Sequence, residues 1–198
     1  MSQTQHGLGG RLPLLKPDAL SPAQKNTYDT IDTTMVPWAE KSGFQAKNED
    51  GTLIGPFNGI LLSPAITDAF LALQAAEQEH TTLTARVRQI VILTVGAVWQ
   101  CDYERYAHEA VARKAGLPDE AIRSLSKGIP AGGLAFEEEL AQQFTRQVTV
   151  ERQVEDNLYV RTEAIFGAQG IVDLLYLAGC YDTISSLLNT FRVPAPAR

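Results

Sequence analysis

Helix punctuation between Thr84 and Pro118 leaves the chain little choice of backbone there. Thr84 supplies an N-cap hydroxyl for a segment running from Ala85 to Val98. A second segment, Cys101 to Ala115, closes with Arg113 and Lys114, cations that suit the negative end of a helix. Gly116 can take the left-handed cap, and Pro118 opens a further helix with Asp119 and Glu120 in its first turn. The run Ile90-Val91-Ile92-Leu93 is β-branched and in isolation suits a strand. Helical signals on both sides make it the middle of a buried helix instead, with Gly96 a candidate break.

The same signals recur along the chain. Ser21-Pro22 starts a helix that is expected to run to about Met35, and Lys41 to Pro56 reads as a long loop. Ser63-Pro64 opens a helix over about Ala65 to His80, with apolar positions at Ala65, Ala69, Phe70, Leu73 and Ala76. Helices follow over Phe136 to Val148 and Glu155 to Phe166, then a turn at Gly167 to Gly170. A deeply apolar last helix spans Ile171 to about Phe191, and Pro194 stops it. With no convincing strand and no internal linker, the expectation is one all-α domain of about eight helices. It occupies residues 17–193, between a flexible arm at 1–16 and a tail at 194–198.

Composition excludes some functions. The 198 residues carry 44% hydrophobic and 20% charged side chains, ordinary for a globular protein. A net charge of −6 and scattered Lys and Arg give no basic surface to neutralise phosphates, so no nucleic-acid partner is expected. The polar residues Met1 to Gly10 do not resemble a signal peptide, and the apolar runs Ile90 to Trp99 and Ile171 to Cys180 are short for a membrane span. A cytoplasmic protein with no membrane partner is expected, and Cys101 and Cys180 then default to thiols. His6, His80 and His108 make no metal-ligand pattern, and no phosphate loop appears, so neither metal nor cofactor is expected.

The chemistry is concentrated in Cys101-Asp102-Tyr103-Glu104-Arg105-Tyr106-Ala107-His108. Cys101, Glu104 and His108 fall at i, i+3 and i+7, one face of a helix. A carboxylate one turn before an imidazole can orient it and exchange a proton with it. Burial between Tyr103 and Tyr106 would raise the Glu104 pKa toward a useful acid. Cys101 sits at a helix start, where the dipole favours a thiolate. Of Arg86 and Arg88, two apart, at most one can face a pocket and bind a substrate carboxylate. Phe57, Trp99 and Tyr103 are candidate pocket walls, Gln89 a candidate hydrogen-bonding group, and Cys180 reads as core.

Three stretches carry a resemblance. They are Arg88-Gln89-Ile90-Val91-Ile92-Leu93, the Trp99 to Glu109 run, and Ala112-Arg113-Lys114-Ala115-Gly116-Leu117-Pro118. Together they look like the carboxymuconolactone decarboxylase family, which includes the AhpD-like alkylhydroperoxidases. Gly55-Pro56-Phe57-Asn58 with Leu61 to Pro64, and Phe166-Gly167 through Leu187-Leu188-Asn189, extend the resemblance over residues 12–193. It implies an AhpD-like helical bundle that assembles into a homo-oligomer. AhpD-like members pair two cysteines in C-x-x-C-x-x-x-H, with a Glu twelve residues upstream. Here those positions hold Cys101, Glu104, His108 and Gln89, so the dithiol is missing.

The resemblance therefore implies a decarboxylase-like enzyme acting on a small organic acid or lactone. Glu104 and His108 would move protons, Gln89 and Arg86 would hold the substrate among Tyr103, Phe57 and Trp99, and Cys101 is a further catalytic candidate. Two alternatives come with it. One is a thiol-dependent peroxidase or redox sensor through Cys101, and the other a non-catalytic oligomer that binds a small molecule.

Overall fold

The computed structural model describes residues 7–197. Eight α-helices follow two short 3₁₀ turns, and among the described residues the only β pairing is an isolated bridge between Lys47 and Leu53. The helices are α1 (Pro22–Ser42), α2 (Pro56–Ile60), α3 (Pro64–His80), α4 (Ala85–Val98), α5 (Asp102–Lys114), α6 (Asp119–Ser126), α7 (Phe136–Glu151) and α8 (Asp156–Thr190).

The fold is organised around α4, on which α5, α6, α7 and α8 all pack. This explains the β-branched run: every residue from Val87 to Gly96 except Arg88 is buried. A helix walled in on nearly all sides needs apolar residues around its circumference, and that erases the amphipathic stripe. Ile90 and Leu93 meet Leu117, Ile122 and Leu125 near α6, while Val87, Val91 and Val95 meet Phe144, Leu174 and Ala178 of α7 and α8. A third cluster joins Ile31 and Ala39 of α1 to Tyr103 and Ala107 of α5. Each fully buried Leu or Ile contributes roughly 1.5–3 kcal/mol.

Several elements differ from expectation. α1 passes Met35 and runs through Pro37 to Ser42, ending at Gly43 with φ 90°. Its buried stripe of Tyr28, Ile31, Val36 and Ala39 continues beyond the proline, and that burial offsets the lost backbone bond. Gly96 does not break α4. A Cβ there would meet the Glu104 Cβ at 3.3 Å, so the glycine lets α5 lie close against α4. α2, a short helix that was not expected, starts at Pro56, the last residue of the expected long loop, and is buried throughout. Gly55, which precedes it with φ 65°, has no room for a side chain, because a Cβ would lie 2.1 Å from the Tyr103 ring.

Residues 7–16 are held to the body rather than free. Arg11 N–H donates to the Phe191 carbonyl (2.6 Å), and Asn58 bonds both the Leu15 N–H (2.9 Å) and the Pro13 carbonyl (3.1 Å). Residues 1–6 of the expected arm, His6 among them, lie outside the described residues. Within α8, Gly167 (φ 65°, ψ 174°) is non-helical and kinks the chain between two helices, where the expected turn begins; Ala168 to Gly170, also expected in that turn, are helical. At 35 residues α8 is long and apolar enough to cross a bilayer, longer than the uninterrupted apolar runs suggest. Here Leu174, Leu177 and Ala178 pack in the core, while Asp173 accepts bonds from the Thr82 N–H (2.7 Å) and hydroxyl (2.8 Å).

Candidate active site

Helices α4 and α5 form a tight hairpin through Trp99 and Gln100, so Gln89 on the first lies opposite His108 on the second. His108 Nδ1 is 2.9 Å from Gln89 Oε1. An amide oxygen only accepts, so this orientation puts the imidazole proton on Nδ1 and leaves a lone pair on Nε2. Nε2 faces Glu104 Oε2 at 3.5 Å. Glu104 and His108 are both buried, and Glu104 Oε2 has no hydrogen-bond partner.

Burial sets the charge states. Desolvation raises the Glu104 pKa from 4.5 to about 8. Desolvation, helped by the nearby Arg88 cation, lowers that of His108 from 6.5 to about 3. At neutral pH the pair is a carboxylic acid beside a neutral imidazole, not an ion pair. The chain Gln89–His108–Glu104 thus holds two transferable protons and no net charge.

A cavity of about 840 Å³ lies between α1 and α3 on one side and α4, α5 and α8 on the other. Gln89, His108 and Arg88 line it, but Glu104 does not, so the acid sits behind the imidazole rather than in the same pocket. Tyr181 presents its ring edge-on to His108 at 4.9 Å, and the Trp38 ring centroid is 6.4 Å from His108. Arg88 forms an ion pair with Glu77 through one Nη, with side chains only 16% and 6% exposed.

The remaining sequence candidates lie elsewhere. Arg86 forks onto Glu138 (2.5 and 3.0 Å) and donates to the Gly116 carbonyl, which ties α4 to α7 and leaves Arg88 as the cavity arginine. Tyr103 donates to the Gln45 carbonyl (2.7 Å), packs with Phe57 in the α1 core, and clamps the 43–47 loop together with Tyr106. Trp99 is on the surface, its indole N–H donating to Asp182 (2.7 Å). Cys101 joins the same core as Phe57, outside the cavity. Its helix start was expected to favour a thiolate. Burial outweighs the neighbouring backbone N–H groups and pushes the thiol up to about 12. Cys180, expected as core, is buried but lines the cavity.

Trp38, Glu77 and Tyr181 were not anticipated as site residues. They arrive from helices remote in sequence, and the only trace of Tyr181 was its place in the C-terminal resemblance. Among the described residues no group of three or more His, Cys, Asp or Glu side chains could hold a metal ion.

Residues 64–137 match the model of the carboxymuconolactone decarboxylase family, a span that takes in α3 to α6 and every member of the Gln89–His108–Glu104 chain. Solved structures share the fold. An uncharacterised peroxidase-related protein from Ralstonia eutropha JMP134, described as an alkylhydroperoxidase AhpD core, superposes with a TM-score of 0.73 at 16% identity. That match covers 95% of this chain and 93% of the other. A peroxidase-related protein from Silicibacter sp. TM1040 gives 0.71 at 15% identity over 99% and 96%. A protein of unknown function from Agrobacterium tumefaciens, a putative antioxidant defence protein AhpD, gives 0.65 at 21% identity over 71% and 97%. No curated protein matches the sequence.

Proposed function

We propose that the chain is a decarboxylase-like enzyme acting on a small organic acid or lactone, a reading supported by the match of residues 64–137 to the carboxymuconolactone decarboxylase family model. The observation that carries this reading is the neutral Gln89–His108–Glu104 chain opening onto the cavity through Gln89 and His108.

Breaking the bond to a leaving carboxylate releases CO₂ and puts an electron pair on the neighbouring carbon, delocalised into a conjugated carbonyl. That carbon then needs a proton. A substrate that displaces the Gln89 oxygen from His108 Nδ1 meets an N–H donor there. As Nδ1 gives up its proton, Nε2 takes the Glu104 proton, and the imidazole only changes tautomer. The relay never forms an imidazolium, the species that burial and Arg88 disfavour. To reset, the Glu104 carboxylate takes its proton back from Nε2 while Nδ1 picks one up from solvent through the cavity, which restores the starting tautomer and the neutral acid. Gln89 returns to hold the imidazole in register.

The thiol-peroxidase alternative is weakened by the burial of Cys101 and by Glu104 at the second cysteine position. The test is CO₂ release from a panel of carboxylated lactones and β,γ-unsaturated acids, run beside hydroperoxide consumption with and without thiol. Thiol-dependent hydroperoxide loss that requires Cys101 would replace this reading, and so would ligand binding with no turnover. Assembly into a homo-oligomer through the exposed apolar face of α8 belongs to the same proposal.

A further inference from the structure

The cavity is far larger and more apolar than a small polar lactone requires. At about 840 Å³ it falls near the top of the range for sites that enclose drug-sized ligands. Its long wall is built from Met35 and Trp38 of α1, Leu71 and Ala75 of α3, Ile92 of α4 and Leu177 of α8. Arg88, Gln89 and His108 line the cavity together on the α4–α5 side, while α1 and α3 set polar residues such as Thr30, Gln74 and Glu77 among their apolar ones. Arg88 spends one Nη on Glu77. Among the described residues its Nε and other Nη have no partner, and neither is a buried orphan, so both remain available to a ligand. The Glu77 pair fixes the guanidinium in place, so a carboxylate binding to its free edge finds the donors already oriented. Asp68, also on the wall, is taken by the Thr27 hydroxyl (2.7 Å).

We infer that the ligand is an amphipathic carboxylic acid, its single carboxylate held on Arg88 beside Gln89 and His108 and its apolar body laid along the α1–α3 wall. This deepens the decarboxylase-like reading, on which it rests for the reaction but not for the binding. The carboxylate would sit at the arginine, and the carbon that loses it would face the His108 relay.

Trp38 lines the cavity and Trp99 does not, so a Trp99→Phe protein carries one tryptophan that reports occupancy. Its fluorescence should be titrated with hexanoate, octanoate and decanoate, with 1-decanol as the neutral control and citrate as the compact polyanionic control. Affinity should rise roughly three- to fourfold per added methylene, and citrate should fail to compete. The Glu77→Gln/Arg88→Gln double variant removes both charges without stranding either. It should weaken decanoate at least tenfold and leave 1-decanol within twofold. Ala75→Phe, which fills the apolar wall without adding a tryptophan, should weaken decanoate binding at least tenfold, with helix content by circular dichroism as the check on folding. Affinity independent of chain length, citrate binding as tightly as decanoate, or an Ala75→Phe protein that binds decanoate normally would each overturn the inference. Repeating the titration on Glu104→Gln separates the two claims. Binding lost in every protein while CO₂ release still depends on Glu104 sinks the ligand class alone. Binding retained with no such dependence sinks the reaction alone.

Discussion

Glu104 Oε2 lies 3.5 Å from His108 Nε2, and the two side chains are buried and uncharged at neutral pH. The contact is one turn of α5, so its geometry is set by a single helix. If the pair works as a proton relay, His108→Asn and Glu104→Gln should each lower turnover by about 10²-fold or more. The double variant should lose little beyond the worse single one, since groups acting as a unit are not additive. Steady-state kinetics on the three proteins, with circular dichroism to show they are folded, provides the check. Fully multiplicative losses would mean the two residues act separately.

The same reading fixes the pH dependence of the rate. The donor is protonated Glu104, present below its raised pKa of about 8. Turnover should therefore hold steady through neutral pH and fall tenfold per unit above about 8. The imidazole, lowered to about 3, adds no acid limb near neutrality. A profile that instead rises through pH 8 would indicate that an ionised base, or a thiolate, does the chemistry.

Folding stability should follow the same two groups in opposite directions. Glu104 ionises at 4.5 when unfolded and near 8 when folded, so its contribution is complete below 4.5 and is lost as pH rises to 8. His108 protonates at 6.5 when unfolded and near 3 when folded, so its contribution is lost as pH falls from 6.5. Each slope approaches about 1.4 kcal/mol per pH unit at most. They oppose one another between 4.5 and 6.5, where stability should peak. Glu104→Gln should flatten the alkaline side of a Tm–pH curve and His108→Asn the acid side. A Glu104→Gln curve that parallels the parent from 5 to 8 would refute the neutral-acid assignment.

Cys101 provides a contrast within the same motif. Its thiol is 1% exposed and pushed up to about 12, and Cys180 is free and buried as well. Native protein at pH 8 should alkylate slowly, with both thiols titrating after denaturation. Cys101→Ser should cost far less turnover than His108→Asn. Rapid stoichiometric labelling of Cys101 in the native state would bring the thiol reading back.

The helices were legible in the sequence because caps and breakers are local. Thr84 does accept from the Val87 N–H (3.2 Å), and α4 runs from Ala85 to Val98 as its punctuation implies. The helix end expected near Met35 and the break expected at Gly96 are absent for the opposite reason: Pro37 and Gly96 both lie inside helices. A helix can run through either when packing on both sides holds it, and packing is not local. The site divides in the same way. Glu104 and His108 share one helix, so their pairing follows from an i, i+4 spacing. Phe57 belongs to the α1 core and Arg86 ties α4 to α7, while Trp38, Glu77 and Tyr181 reach the cavity from α1, α3 and α8. No spacing rule connects helices that meet only in the tertiary fold.

The outer face of α8 supports the last prediction. Ile165, Val172, Leu175 and Tyr176 are 43–56% exposed, although they sit in a helix long and apolar enough to cross a bilayer. Val172, Leu175 and Tyr176 are related by i+3 and i+4, so they share one stripe. Gly179, one turn on, has nothing within 4 Å of a Cβ position and adds a flat spot to that stripe. A stripe of this kind left in water forgoes about 25 cal/mol per Å² of apolar surface, and a second copy of the chain offers the matching surface for a two-fold contact. Self-association through α8 should give a particle larger than 21.6 kDa by light scattering at micromolar concentration. Leu175→Glu with Tyr176→Glu should return it to the single-chain mass without loss of helix content. A parent protein that already scatters as one chain of 21.6 kDa would leave the stripe without this role.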